Sequence, residues 1–313
     1  NGPTGLVYNP GTALGERWKD HFFIAEFRGS PTNSPIHAFT LRPKGAGFEL
    51  ATTQEVVRGL LPTGMDFGPD GALYFSDWIE GWGTKDAGRI WKLDVPGGDQ
   101  SAIRQETKSL LQADFTKTTL SELGDRLRHS DMRVRQRAQF ELARRGASGY
   151  GTLLAAVEQT EHQLARVHGL WGIGQLARQR IDYTEALLPF LTDEDPEIAA
   201  QAAKMIGDVR YEGGAAALLP LLGHASARVR LLATEALGRI AYPAAVDGIV
   251  ELLRANDDED VWLRHAGAIA LARIGDEAAL FALKEDESPA VRVAAVVALR
   301  RIQSPRVAVF LQD

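Results

Sequence analysis

Apolar and polar residues follow two different periods along this chain. Up to about residue 100, apolar runs are short, alternate with polar positions and are cut by Gly, Pro, Asn and Asp. That is the pattern of strands joined by tight turns. Seven runs predict strands, at 5–8, 21–27, 36–42, 48–52, 64–67, 72–77 and 89–94. Pro69-Asp70-Gly71 predicts the turn between two of them, because Pro presets φ, Asp bonds its own backbone and Gly supplies positive φ. Seven short strands without an intervening helix predict antiparallel β-propeller blades, fewer than two of them.

From Thr118 the period becomes helical. One pattern, V-R-x-x-A-x-x-A-L, recurs six times, beginning at Val134, Ala165, Ile198, Val229, Leu263 and Val291. Successive copies lie 28 to 34 residues apart, a spacing that marks stacked helical hairpins. Helix pairs are predicted near 118–145, 148–179, 184–208, 214–240, 244–274 and 276–302, and Ser304-Pro305 opens one more. Ala138, Gly169, Ala202, Ala233, Gly267 and Ala295 hold the slot where helices approach closely. Leu142, Ile173, Ile206, Leu237, Leu271 and Leu299 hold the slot that fills the core. No period is legible at 101–117, which reads as a linker or a first capping turn. The fold class is therefore β + α with two domains: a partial propeller at 1–100, a linker at 101–117 and an α-solenoid of about six helix pairs at 118–313.

Composition changes this picture little. The first hundred residues hold 16 of the 31 glycines and 4 of the 6 tryptophans, which sharpens the boundary between the two grammars. A net charge of −6 argues against a nucleic-acid coat. The absence of cysteine excludes disulfides, thiolate metal sites and covalent haem in this chain. No apolar run reaches the length of a membrane span. The opening Asn1-Gly2-Pro3-Thr4-Gly5 reads as an internal stretch of a longer protein.

The Asp-x-x-V-R opening, seen at Asp131 with Val134-Arg135 and at Asp260 with Arg264, resembles HEAT repeats in the short form of phycobilisome-lyase-like proteins. The resemblance covers about 118–313. It implies a scaffold with a protein partner on its concave face and an Asp–Arg ladder between neighbouring repeats. Ala199 stands where Arg is expected, so the ladder should break there.

Four ordered blocks in the first part carry a second resemblance. They are Phe22 to Gly29, Ile36 to Phe39, Asp66 to Trp78 and Gly88 to Leu93. They resemble the closing segment of a quinoprotein glucose/sorbosone dehydrogenase propeller. With repeats behind it, the layout resembles planctomycete-type dehydrogenase-like proteins that end in a haem-binding module. The resemblance implies oxidation of a sugar or polyol by pyrroloquinoline quinone with Ca²⁺, a cytochrome module elsewhere in the parent protein, and a periplasmic or secreted location. Arg28 matches a quinone-contacting cation of that family. Leu61 and Thr63 occupy the places of two further arginines, so the cationic set that a tricarboxylate needs is incomplete. The family's general-base histidine has no counterpart here, catalytic residues stay unassigned, and the chain by itself is expected to be inactive.

Other candidates have plainer readings beside them. Trp78 and Trp82, in a glycine-rich loop, could stack on a sugar, plug a blade or pack on the repeat domain. His37 lacks a visible partner for base catalysis. Asp66, Asp70, Asp77 and Asp86 lack the spacing of a calcium loop. Seven arginines between Arg126 and Arg145, with His129, alternate with carboxylates and read as a solvated, salt-bridged helix pair. His162 and His168 stand at the wrong offset for metal ligation. Two functions compete: a piece of a sugar-dehydrogenase-like protein, and a non-catalytic interaction module with a degenerate propeller.

Overall fold

The computed structural model describes residues 2–79 and 86–312. They form two compact units. The first comprises 1–42 and 48–141, and the second comprises 43–47 and 142–313.

All seven strands form where the period places them. They are β1 (Gly2–Tyr8), β2 (Phe22–Phe27), β3 (Ile36–Lys44), β4 (Gly47–Val57), β5 (Pro62–Phe67), β6 (Leu73–Asp77) and β7 (Arg89–Leu93). They make two antiparallel meanders, a four-stranded sheet in the order β1-β2-β3-β4 and a three-stranded sheet in the order β5-β6-β7. Neither sheet closes on itself, so the structure gives two open antiparallel sheets and does not show a propeller. β2 and β6 bury alternate residues, which brings Phe23, Ala25, Leu73 and Phe75 into the core with Ile36 and Phe67. The Pro69–Gly71 turn forms as expected: Gly71 has φ +78°, and the Asp70 carboxylate accepts the Ala72 N–H at 3.2 Å.

The stretch 101–117 differs from its reading as a linker. Ala102–Gln112 is a helix, α1. Its inward face carries Arg104 and Thr107 in place of apolar residues, which is why hydropathy does not reveal it. Arg104 is buried because a bidentate pair with Asp94, at 2.8 and 2.9 Å, and a bond to the Asp70 carbonyl satisfy its guanidinium.

Helices α2 (Leu120–Arg126) and α3 (Met132–Arg144) follow. Thr119 and Glu122 form a reciprocal capping box at the start of α2. Asp131 precedes α3 and is fully buried. Its carboxylate takes two bonds from the Arg133 guanidinium, one from the Arg133 N–H and one from the Thr12 hydroxyl at 2.6 Å. Arg133 also donates to the Phe67 and Gly68 carbonyls. Arg133 and Arg135 are therefore drawn inward, which corrects the solvated reading at these two, while Arg128 and Arg144 are exposed. Arg135 donates to the His129 and Ser130 carbonyls, and Arg126 and Arg137 both lie over the ring of Phe115.

His129 accepts the Asp131 N–H through Nδ1 at 2.9 Å, and its Nε2 is buried with no partner among the described residues. Burial holds this imidazole below the ordinary histidine range, against the pull of Glu106 and Asp131. The fold therefore favours the neutral ring. That contribution is complete above the unfolded value of about 6.5 and is lost as pH falls through the lower folded value. The first unit should lose urea resistance as pH falls below about 6.5, and His129→Asn, which keeps the acceptor, should flatten that slope. A slope unchanged by His129→Asn would refute the assignment.

The second unit alternates short first helices with longer second helices. The second helices are α5 (Gln163–Ala177), α6 (Pro196–Asp208), α8 (Ala227–Ile240), α10 (Val261–Ile274) and α12 (Pro289–Arg301). The first helices are α4 (Ala147–Glu158), α7 (Ala215–Leu218), α9 (Val246–Asn256) and α11 (Glu277–Ala282), with 3-10 turns replacing or extending the first helix in several copies. Pro189 and Pro220 account for two of those turns, since each removes an N–H from an α ladder. The core slot is confirmed: Leu142, Ile173, Ile206, Leu237, Leu271 and Leu299 are all buried.

Small residues on the second helices let neighbouring backbones touch. A Cβ built on Gly207 would lie 2.5 Å from the Cα of Ala236, and one on Gly238 would lie 2.6 Å from the Cα of Ala270.

The Asp–Arg ladder takes another form. Arg230 donates to the His224 and Ala225 carbonyls, and Arg292 to those of Asp286 and Glu287, so each clamps the turn before its own helix. Arg166 does span repeats from that slot, pairing with Asp193. The copy with Ala199 is not a break, because α6 joins α8 through Glu197–Arg228 and Asp208–Arg239.

Candidate functional site

The second helices of the repeat unit each carry one corresponding stripe, in which His168, Gln201, Leu232, Ala266, Ala290 and Ala294 are buried and the other residues are half-buried or exposed. Spacing i, i+4, i+7, i+11 puts four residues of a helix on one side. In α5 these are Leu164, His168, Trp171 and Gln175, and in α6 Glu197, Gln201, Lys204 and Asp208. In α8 they are Arg228, Leu232, Glu235 and Arg239, and in α10 Trp262, Ala266, Ile269 and Arg273. In α12 they are Ala290, Ala294, Val297 and Arg301.

The face they form has two chemically different halves. Over α5, α6 and α8 the side chains satisfy one another. Trp171 donates to Gln201 at 2.8 Å, and Gln201 donates to Glu197 at 2.6 Å. Glu197 pairs with Arg228 at 2.5 Å. Asp208 takes Lys204 at 2.6 Å and Arg239 at 2.8 Å, and Arg239 also reaches Glu235. Three cations and three carboxylates cancel, and the polar groups are already bonded.

Over α10 and α12 nothing of that kind exists among the described residues of the stripe. Alanines 266, 290 and 294 are buried, so the apolar floor is left to Trp262, Ile269 and Val297. Trp262 is 54% exposed and Val297 is 42% exposed. The Trp262 indole lies against Gly47, in the short turn 43–47 that groups with this unit. Arg273 and Arg301 edge the floor, and neither pairs with a carboxylate among the described residues. A cavity of about 720 Å³ in the same unit is lined by Leu219, Leu222, Leu252, Leu263, Arg230 and Asn256.

The site residues singled out in the sequence fall in the first unit. Arg28 is exposed, and its guanidinium pairs with Glu26. Leu61 is fully buried, with its N–H given to Asp77, and the Thr63 hydroxyl bonds Ser76. A quinone tricarboxylate thus meets one neutralised cation, one core leucine and one hydroxyl, so these residues do not fit pyrroloquinoline quinone. Trp78 packs on Phe27 with ring centroids 5.7 Å apart. Trp82 lies outside the described residues. His37 sits 3.9 Å from Glu26. Asp70 bonds Ala72, Tyr74 and Lys92, and Asp77 bonds Leu61, Ile79 and Trp91. Among the described residues no group of three or more His, Asp or Glu is placed to hold a metal, and no helix is long and apolar enough to cross a membrane.

A family model for HEAT repeats matches residues 184–261, 215–285 and 255–313. The helical hairpins of 184–313 are HEAT repeats. They include four of the five second helices that build the face. Solved structures to which the chain is similar include a designed armadillo repeat protein, 18% identical, covering 59% of this chain and 100% of its own, with a TM-score of 0.39. Another is the complex of CpcE and CpcF of phycocyanin lyase from Nostoc sp. PCC7120, 18% identical, covering 63% of this chain and 93% of its own, with a TM-score of 0.40. A second designed armadillo protein, solved with the peptide (KR)4, is 18% identical over 59% of this chain and 100% of its own, with a TM-score of 0.37. No curated protein matches the chain.

Sequence reasoning misses Trp262 and its surroundings. A signal is there: Trp262 takes the stripe position that Glu197 and Arg228 hold in the two preceding copies, so charge gives way to an exposed aromatic at a fixed slot.

Proposed function

We propose that this chain is a non-catalytic HEAT-repeat scaffold that binds a protein segment on the α10–α12 part of its second-helix face. One observation carries the reading: that part of the face is apolar and unpaired, while the α5–α8 part is saturated by its own bonds. Binding draws its energy from apolar area and from polar groups that lack partners, and it gains little where existing bonds must first be broken. Intact chain exposed to a displayed library of random peptides should retain binders, and Val297→Asp should reduce their retention about tenfold by placing a charge on the apolar floor. Retention equal in both proteins would refute this reading.

A second reading makes 1–100 part of a sugar-dehydrogenase propeller, with electrons passed to a cytochrome module in a periplasmic or secreted parent protein. Its support is the meander order of both sheets together with the four ordered sequence blocks. The misfit of Arg28, Leu61 and Thr63 to the quinone weighs against it. Turnover of any sugar by the longer protein, with quinone and Ca²⁺ added, would restore it; no turnover would remove it.

A further inference from the structure

The unpaired cations at the edge of the apolar floor constrain what can sit there. The chain as a whole carries a net charge of −6, so a local excess of positive charge is not a background property of its surface. On the HEAT face, Lys204, Arg228 and Arg239 each have a carboxylate within hydrogen-bonding distance. Arg273 and Arg301 occupy the same stripe position as Asp208 and Arg239 on neighbouring helices, yet no carboxylate reaches them among the described residues. The alternation of acid and base that neutralises the earlier helices therefore stops at α10. Ala266 and Ala294 lie one to two turns along the same helices, beside Ile269 and Val297.

We propose that the occupant is an amphipathic segment carrying apolar side chains flanked by aspartate or glutamate. Its apolar groups would cover the exposed parts of Trp262, Ile269 and Val297, and its carboxylates would supply the partners that Arg273 and Arg301 lack. A basic segment would meet two like charges at Arg273 and Arg301, a costly juxtaposition. This inference rests on the scaffold reading above and names the partner chemistry of that same surface.

The test is the composition of the peptides that a random displayed library yields on the intact chain. Sequences retained by the native protein and not by Val297→Asp should be enriched in Asp and Glu next to Leu, Ile or Phe. The double variant Arg273→Glu/Arg301→Glu, checked for native thermal unfolding, should weaken these peptides about tenfold and select basic sequences in their place. Should the double variant unfold early, Arg273→Gln/Arg301→Gln gives the same comparison with smaller charge change. Neutral or basic sequences selected by the native face would overturn the acidic partner and leave the scaffold reading standing. No set that depends on Val297 would overturn both.

Discussion

Replacing Asp131 by Ala is expected to cost about 3–5 kcal/mol of unfolding free energy. The size follows from what the carboxylate leaves behind. Asp131 has no exposure, and it is the acceptor for the Arg133 side chain, the Arg133 N–H and the Thr12 hydroxyl. Without it the Arg133 guanidinium stays largely buried, held by the Phe67 and Gly68 carbonyls but with no countercharge. A buried charge stripped of its partner is far more damaging than the pair is beneficial. The exposed pair of Arg28 with Glu26 offers the contrast, because water already solvates both ends; Arg28→Ala should change stability by no more than about 1 kcal/mol. Urea titration of the native protein and both variants decides the matter. Equal midpoints for Asp131→Ala and Arg28→Ala would show that the buried pair does not anchor α3.

The second large effect is a change of sign at two helical glycines. Alanine is the better helix former by about 1 kcal/mol, so an exposed glycine in a helix interior is a standing loss. Gly151 in α4 is such a position, with nothing within 4 Å of an added methyl, and Gly151→Ala should gain roughly 0.5–1 kcal/mol. Gly238 in α8 is the reverse. Its added methyl would lie 2.6 Å from the Cα and 2.7 Å from the Cβ of Ala270, which are backbone-fixed atoms that cannot swing aside. Separating two packed helices costs typically about 1–3 kcal/mol, more than the propensity gain returns. Gly238→Ala should therefore lower the thermal midpoint while Gly151→Ala raises it. Two shifts of the same sign would mean that the helices are not in backbone contact.

The fold is legible in the sequence wherever apolar spacing alone decides it. Strand positions follow from period two, and the helix pairs from the recurring Val-Arg and Ala slots. The first helices are less regular than their pattern, because Pro189 and Pro220 turn parts of them into 3-10 segments. Helix α1 stays hidden because its buried side carries Arg104 and Thr107, and hydropathy cannot anticipate that Asp94 will neutralise an arginine. The Asp–Arg motif is recognisable in the sequence, but its bonding is not. The arginine reaches carbonyls five and six residues back, a local choice that the spacing of charges along a sequence does not reveal.

The candidate site is the least legible part. Arg28, Trp78 and Trp82 draw the eye because a lone cation and a glycine-rich aromatic loop stand out in a line of text. Trp262, Ile269, Val297, Arg273 and Arg301 are scattered over two helices and become one surface only once α10 and α12 are side by side. Their distinction is also relative: Arg239 and Arg273 look alike in sequence, and differ because Asp208 and Glu235 reach the first.

Methyl-labelled protein, titrated with a peptide selected on the native face, gives the most direct answer about where binding occurs. The Ala266, Ile269, Ala294 and Val297 signals should shift together, while methyls of Ala200, Leu231 and Leu232 on α6 and α8 hold still. Shifts centred on α6 and α8, or on the strands of the first unit, would contradict a binding surface at the unpaired end of the repeats.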